Sequence, residues 1–155
     1  MDNLTVAGDP LRIEGYASLF GLADLNKDIV RRGAFTRGLQ RRGFKGVRML
    51  FQHDAGEPVG VWEEIREDAQ GLFVRGRVLM AGPRGRAAAE LIQQGAVDGL
   101  SIGFRTERFA PLTGGGRELL QLDLWEVSIV TFPMLPQARL KLSQSFVSES
   151  LRLAG

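Results

Sequence analysis

The sequence contains no cysteine, a single histidine, His53, and only three lysines, Lys27, Lys45 and Lys141. The absence of cysteine excludes disulfides, thiolate catalysis and cysteine-ligated metal sites. It is compatible with a reducing compartment without requiring one. One histidine and scattered carboxylates provide no zinc-type spacing, so no metal and no cofactor are expected. Long apolar runs are missing too: nothing approaches the roughly 20 residues that span a bilayer. Met1 to Pro10 carries Asp2 and Asp9 and lacks the apolar core of a secretory leader. The expectation is a soluble protein with no membrane partner.

What is present fits one globular domain. The chain has 155 residues, 44% hydrophobic and 25% charged, enough to bury a real core. The formal net charge is +2, and the cations are almost all arginine. Arg31-Arg32 and Arg37 with Arg41-Arg42 form two clusters. A nucleic-acid binder would set such a patch on phosphates. No aromatics are interleaved to stack on bases, which favours a solvated helix face and no nucleic-acid partner.

The patterning is β-rich, with two short helices and no internal repeat. Residues 1–10 read as an N-terminal segment, 11–139 as the domain and 140–155 as a tail, either a short helix or a loose end. Strands are expected at Leu11–Phe20, Val47–His53, Val59–Arg66, Leu72–Leu79, Gly99–Phe109 and Glu118–Val130. Gly15 is a candidate bulge. Helices are expected at Arg32–Arg42, capped by Gly43, and at Arg84–Gln94, opened by Gly82-Pro83. Asp54 to Pro58 reads as loop and Glu67 to Gly71 as a hairpin turn. Several short strands with few helices predict a closed or nearly closed sheet.

Three features could carry chemistry. His53 ends an apolar strand whose odd positions, Val47, Met49 and Phe51, share its face, and a loop follows at once. A lone histidine is often structural, but its ordinary pKa of about 6.5 suits a general base. Ser101 lies in Gly99-Leu-Ser-Ile-Gly-Phe104, pointing away from Leu100, Ile102 and Phe104. The flanking glycines would let another chain approach its hydroxyl, or would serve a tight bend. Glu126 lies in Leu124-Trp-Glu-Val-Ser-Ile-Val130. By strict alternation it shares a face with Leu122, Leu124, Ser128 and Val130. A carboxylate there needs a partner, an arginine or a histidine. Ser128 is a rival nucleophile on spacing alone; the glycines favour Ser101. Asp24, Asn26 and Asp28 alternate like the start of a calcium loop, but the turn glycine and closing glutamate are missing, so a solvated turn is expected.

Six segments together resemble the prohead maturation proteases of tailed phages and related gene transfer agents. They are Gly15-Tyr-Ala-Ser-Leu-Phe20, Gly33-Ala-Phe35, Leu50-Phe-Gln-His-Asp54, Pro58-Val-Gly60, Gly99-Leu-Ser-Ile-Gly-Phe104 and Glu126-Val-Ser-Ile-Val-Thr131. Each is short; their order over most of the chain from Ile13 to Ala138 is the specific signal. The resemblance implies a mainly β fold with short helices, a β-barrel of the herpesvirus assemblin type. It implies a serine endopeptidase that processes scaffold and major capsid protein precursors inside the immature shell in the cytoplasm, with a possible homo-oligomeric form. It assigns His53 as general base, Ser101 as nucleophile and Glu126 as the acidic third member. Apolar substrate side chains are expected near Phe51 or Phe104. The non-enzymatic alternative is an inactive capsid-assembly or scaffold-binding module.

Overall fold

A computed structural model describes residues 8–143. Eight strands and two helices follow one another as β1 (Leu11–Leu19), β2 (Ile29–Val30), α1 (Thr36–Arg42), β3 (Arg48–Phe51), β4 (Asp54–Glu67), β5 (Gly71–Val78), α2 (Pro83–Gln93), β6 (Gly99–Pro111), β7 (Arg117–Val130) and β8 (Leu140–Leu142). All strands belong to one sheet, in the order β2-β7-β3-β4-β5-β1-β8, with β6 on the other edge of β7.

The sheet is not closed, which corrects the expected closed or nearly closed barrel. Closure would need a ladder joining β6 to β8 or β1. Among the described residues only an isolated bridge, Gly99 to Arg139, spans that seam. The approach to β8 contains Pro133 and Pro136, which lack the N–H a ladder requires, and β8 itself is three residues long. The mainly β content and the two helices are as expected.

One core holds the molecule together. Ile13, Phe35, Met49, Leu72, Val74, Val78, Leu100, Leu119, Leu122, Val127 and Ile129 are all buried to 1% exposure or less. Burial of each large side chain contributes about 1.5–3 kcal/mol. Helix α1 is shorter than the expected Arg32–Arg42. Gly33 takes φ +90°, which no helix interior accepts, and the Glu67 carboxylate receives the N–H groups of Gly33 and Phe35 and the Thr36 hydroxyl. The predicted bulge in β1 falls between Tyr16 and Ser18 rather than at Gly15. Asp54 to Pro58, expected as loop, opens β4, with Pro58 at a break in the β3–β4 register. Residues 140–142 of the expected tail add β8 to β1, and residues 144–155 lie outside the described residues.

The arginine clusters are largely paired. Arg31 meets Glu118, Arg41 meets Glu107, and Arg42 meets the buried Asp123. Asp123 also accepts from the Trp125 indole, and these partners hold its carboxyl below the usual range. The 24–28 turn is only partly solvated. Asp24 accepts the N–H groups of Asn26 and Asp28, and Asp28 is buried in a two-bond pair with Arg117. No helix among the described residues is long and apolar enough to cross a membrane.

Candidate active site

The β3–β4 connection sets the site. Phe51 pairs with Asp54, so Gln52 and His53 alone make the turn. Both adopt positive φ, 56° and 61°, the pattern of a type I′ hairpin turn. Such turns favour Asn and Gly; Gln and His carry a conformational cost there of about 1–2 kcal/mol each. Hydrogen bonds to the end of β7 and the segment beyond it hold the turn. Gln52 N donates to the Ile129 carbonyl at 2.9 Å. Gln52 Nε2 donates to Thr131 Oγ1 at 2.7 Å, and Gln52 Oε1 accepts from Thr131 N at 3.1 Å. His53 N donates to Ser128 Oγ at 3.0 Å. His53 is thus a turn residue rather than the last member of a strand face shared with Val47, Met49 and Phe51.

Opposite the turn, β7 carries a bulge. Gly103 pairs with Glu126, but Phe104 pairs with Leu124, so Trp125 is the extra residue. The bulge reverses the alternation. Leu122 and Leu124 belong to the core before it, and Val127 and Ile129 continue the core after it. Glu126 and Ser128 are therefore turned away from that apolar series, contrary to the alternation expected from sequence.

This inversion aims Glu126 at His53. Glu126 Oε2 lies 2.6 Å from His53 Nδ1, and Glu126 Oε1 accepts from Ser128 Oγ at 2.7 Å. An ionised carboxylate only accepts, so Nδ1 carries the proton, and in the neutral ring Nε2 presents its lone pair. The hydrogen bond that His53 donates to Glu126 raises the His53 pKa above its ordinary 6.5, opposed by partial burial and assisted by the carboxylate charge. The His53 side chain is 42% exposed, so the pair adds at most about 1 kcal/mol to stability. Its consequence is orientation and basicity.

Ser101 pairs directly with Ser128 across the β6–β7 ladder. Directly opposed side chains share a face, with Cβ atoms about 4.5–5.5 Å apart. Ser101, Glu126 and Ser128 thus stand on one face, and Ser101 and His53 line one cavity. The flanking glycines do not leave open space as expected. A Cβ at Gly103 would collide with the Glu126 carboxylate, and one at Gly99 would sit 2.7 Å from the Pro133 ring. Gly103 is what lets Glu126 lie beside Ser101.

The cavity, of about 200 Å³, occupies the unclosed seam. Ala17, Ser18 and Leu19 of β1 form one wall and Leu100, Ile102 and Phe104 of β6 the other, with Asp28 and Arg117 at its polar part. Its size suits a side chain better than a drug-sized ligand. Phe104 lines it; Phe51 does not. Among the described residues no cluster of three or more histidines or carboxylates could hold a metal ion. Sequence reasoning missed Gln52 and Thr131, because Gln-His is not a recognisable hairpin-turn pair. Ser128 was seen only as a rival nucleophile.

The fold resembles that of two viral proteases of known structure. The bacteriophage T4 capsid assembly protease superposes with TM-score 0.62 at 17% identity, covering 81% of this chain and 89% of that one. The KSHV protease in complex with a hexapeptide phosphonate inhibitor gives TM-score 0.60 at 12% identity, covering 91% and 69%. The chain belongs to the caudovirus prohead serine protease family, whose model matches residues 3–152. It is 39% identical over 131 residues to the prohead protease of Enterobacteria phage HK97, covering 81% of this chain and 56% of that protein. It is 28% identical over 116 residues to the capsid polyprotein of Pseudomonas phage PAJU2, covering 70% of this chain and 17% of that protein. It therefore spans about half of the first relative and a small part of the second.

Proposed function

We propose that the chain is a serine endopeptidase that cleaves scaffold and major capsid protein precursors within the immature phage-type capsid. Family membership supports the peptidase class. The observation that carries the site assignment is the His53–Glu126 pair, 2.6 Å apart, with His53 lining the same cavity as Ser101. Ser101 Oγ attacks the scissile carbonyl while His53 Nε2 takes its proton. The imidazolium, steadied by Glu126, returns that proton to the leaving amine. Water then hydrolyses the acyl-enzyme by the same relay. The cavity beside Ser101 receives a substrate side chain against Ile102 and Phe104.

Co-expression with the capsid precursor tests the assignment. Ser101→Ala and His53→Ala are each expected to abolish cleavage while the fold persists. Glu126→Gln is expected to lose rate partially. Cleavage by Ser101→Ala together with inactivity of Ser128→Ala would replace Ser101 as nucleophile. Labelling of the wild type by a serine-directed fluorophosphonate, lost in Ser101→Ala, separates an enzyme from a non-catalytic capsid-assembly module.

A further inference from the structure

Ser128 is fully buried, faces the candidate site, and has no role in the relay just described. Its hydroxyl closes a ring of hydrogen bonds. Ser128 Oγ accepts from His53 N at 3.0 Å and donates to Glu126 Oε1 at 2.7 Å, while Glu126 Oε2 meets His53 Nδ1 at 2.6 Å. The direction around the ring is forced. A backbone N–H can only donate, so the single hydroxyl proton must go to the carboxylate. With its proton committed to Glu126, the Ser128 hydroxyl does not offer that proton to the His53 Nε2 lone pair.

The ring ties two separate parts of His53 to adjacent same-face positions of β7. One is its backbone, held in the left-handed region at φ 61°. The other is its imidazole, held through Glu126. Without the hydroxyl, the Glu126 carboxylate keeps one anchor instead of two, and the strained turn loses one of its ties to β7.

We propose that Ser128 is a positioning residue that fixes the Glu126 carboxylate and the His53 backbone in mutual register, so that the imidazole presents Nε2 to Ser101. This rests on the reading of His53 as general base. His53 is the sole histidine, so the nuclear magnetic resonance spectrum of uniformly labelled full chain contains one imidazole, and its hydrogen-bonded Nδ1–H can be followed directly.

In Ser128→Ala we expect that downfield Nδ1–H resonance to broaden or vanish. We expect kcat on a precursor peptide to fall about 10- to 100-fold, as for a small misplacement of a catalytic group, with KM little changed. Ser128→Cys, which fills the same space with a poor hydrogen-bonding group, is expected to behave alike and serves as the second variant if alanine destabilises the fold. An unchanged Nδ1–H resonance in a folded variant would overturn the inference, whatever the activity. So would wild-type kcat. Failure of the underlying reading has a different signature: Ser101→Ala or His53→Ala would still cleave, while the Ser128 variants would still report on the ring through the resonance.

Discussion

His53 Nδ1 and Glu126 Oε2 meet at 2.6 Å although 73 positions separate the two residues in the chain. A hairpin turn delivers one and a β-bulge aims the other. Parallel pairing of β3 with β7, Arg48 opposite Glu126 and Leu50 opposite Ser128, brings turn and bulge together.

Activity and stability should respond to pH in opposite directions at this pair. The folded pKa of His53 is raised above 6.5. Its stabilising contribution is therefore complete below the unfolded value and is lost as pH rises through the folded one. With His53 as the proposed base, catalysis needs the neutral ring, so kcat/KM should rise over that same interval, with its acid limb above an ordinary histidine. Glu126→Gln should move that limb down toward about 6.5. A pH–rate profile of both proteins checks this; coincident limbs would contradict it.

Gly103→Ala should impair the site more than the fold. Gly103 does not have positive φ, so alanine suits the backbone, but the new methyl would occupy the place of the Glu126 carboxylate. Displacement of Glu126 should cost roughly 100-fold in kcat. The overpacking should cost about 1–3 kcal/mol. Steady-state kinetics and urea unfolding separate the two effects.

Gln52 offers a test of the strained turn. Gln52→Ala keeps the positive φ and loses both bonds to Thr131, so it should lose about 1–2 kcal/mol. Gln52→Gly loses the same bonds but relieves a strain of about 1–2 kcal/mol, so it should fall close to wild type. Both should lose activity, because the turn carries His53. Equal stability of the two variants by thermal unfolding would mean that the turn is unstrained.

Leu122→Ala reports on the core rather than the site. Leu122 is fully buried on β7, and its backbone N–H binds the Ala34 carbonyl beside α1. The cavity left behind should lower stability by about 2–5 kcal/mol. Activity measured well below the unfolding transition should change little, since Leu122 does not line the site cavity.

Much of the chain was legible from its pattern. The long strands, the two helices and the Gly43 stop follow from alternation, helical spacing and backbone freedom, all of which act over a few residues. His53, Ser101 and Glu126 could be singled out one by one. A carboxylate near the end of a strand demanded a partner, and a chain with one histidine and no cysteine left few candidates. The ordered motifs did the rest.

What the sequence could not decide is how those residues meet. Alternation placed Glu126 with the core leucines. A single extra residue at Trp125 turned it to the other face, and a bulge depends on what the neighbouring strand does. The two glycines suggested room for a substrate strand, but the space beside Gly103 is taken by Glu126 from 23 positions away. The expected barrel depended on a last ladder, which Pro133, Pro136 and a three-residue β8 do not supply, and the candidate cavity lies in the seam left open. Residue chemistry is written locally, and so the sequence by itself determined the cast: one histidine, two serines and one carboxylate. Proximity arises from strand pairing between distant segments, so only the tertiary structure decided that Ser128 binds the carboxylate while Ser101 lines the cavity.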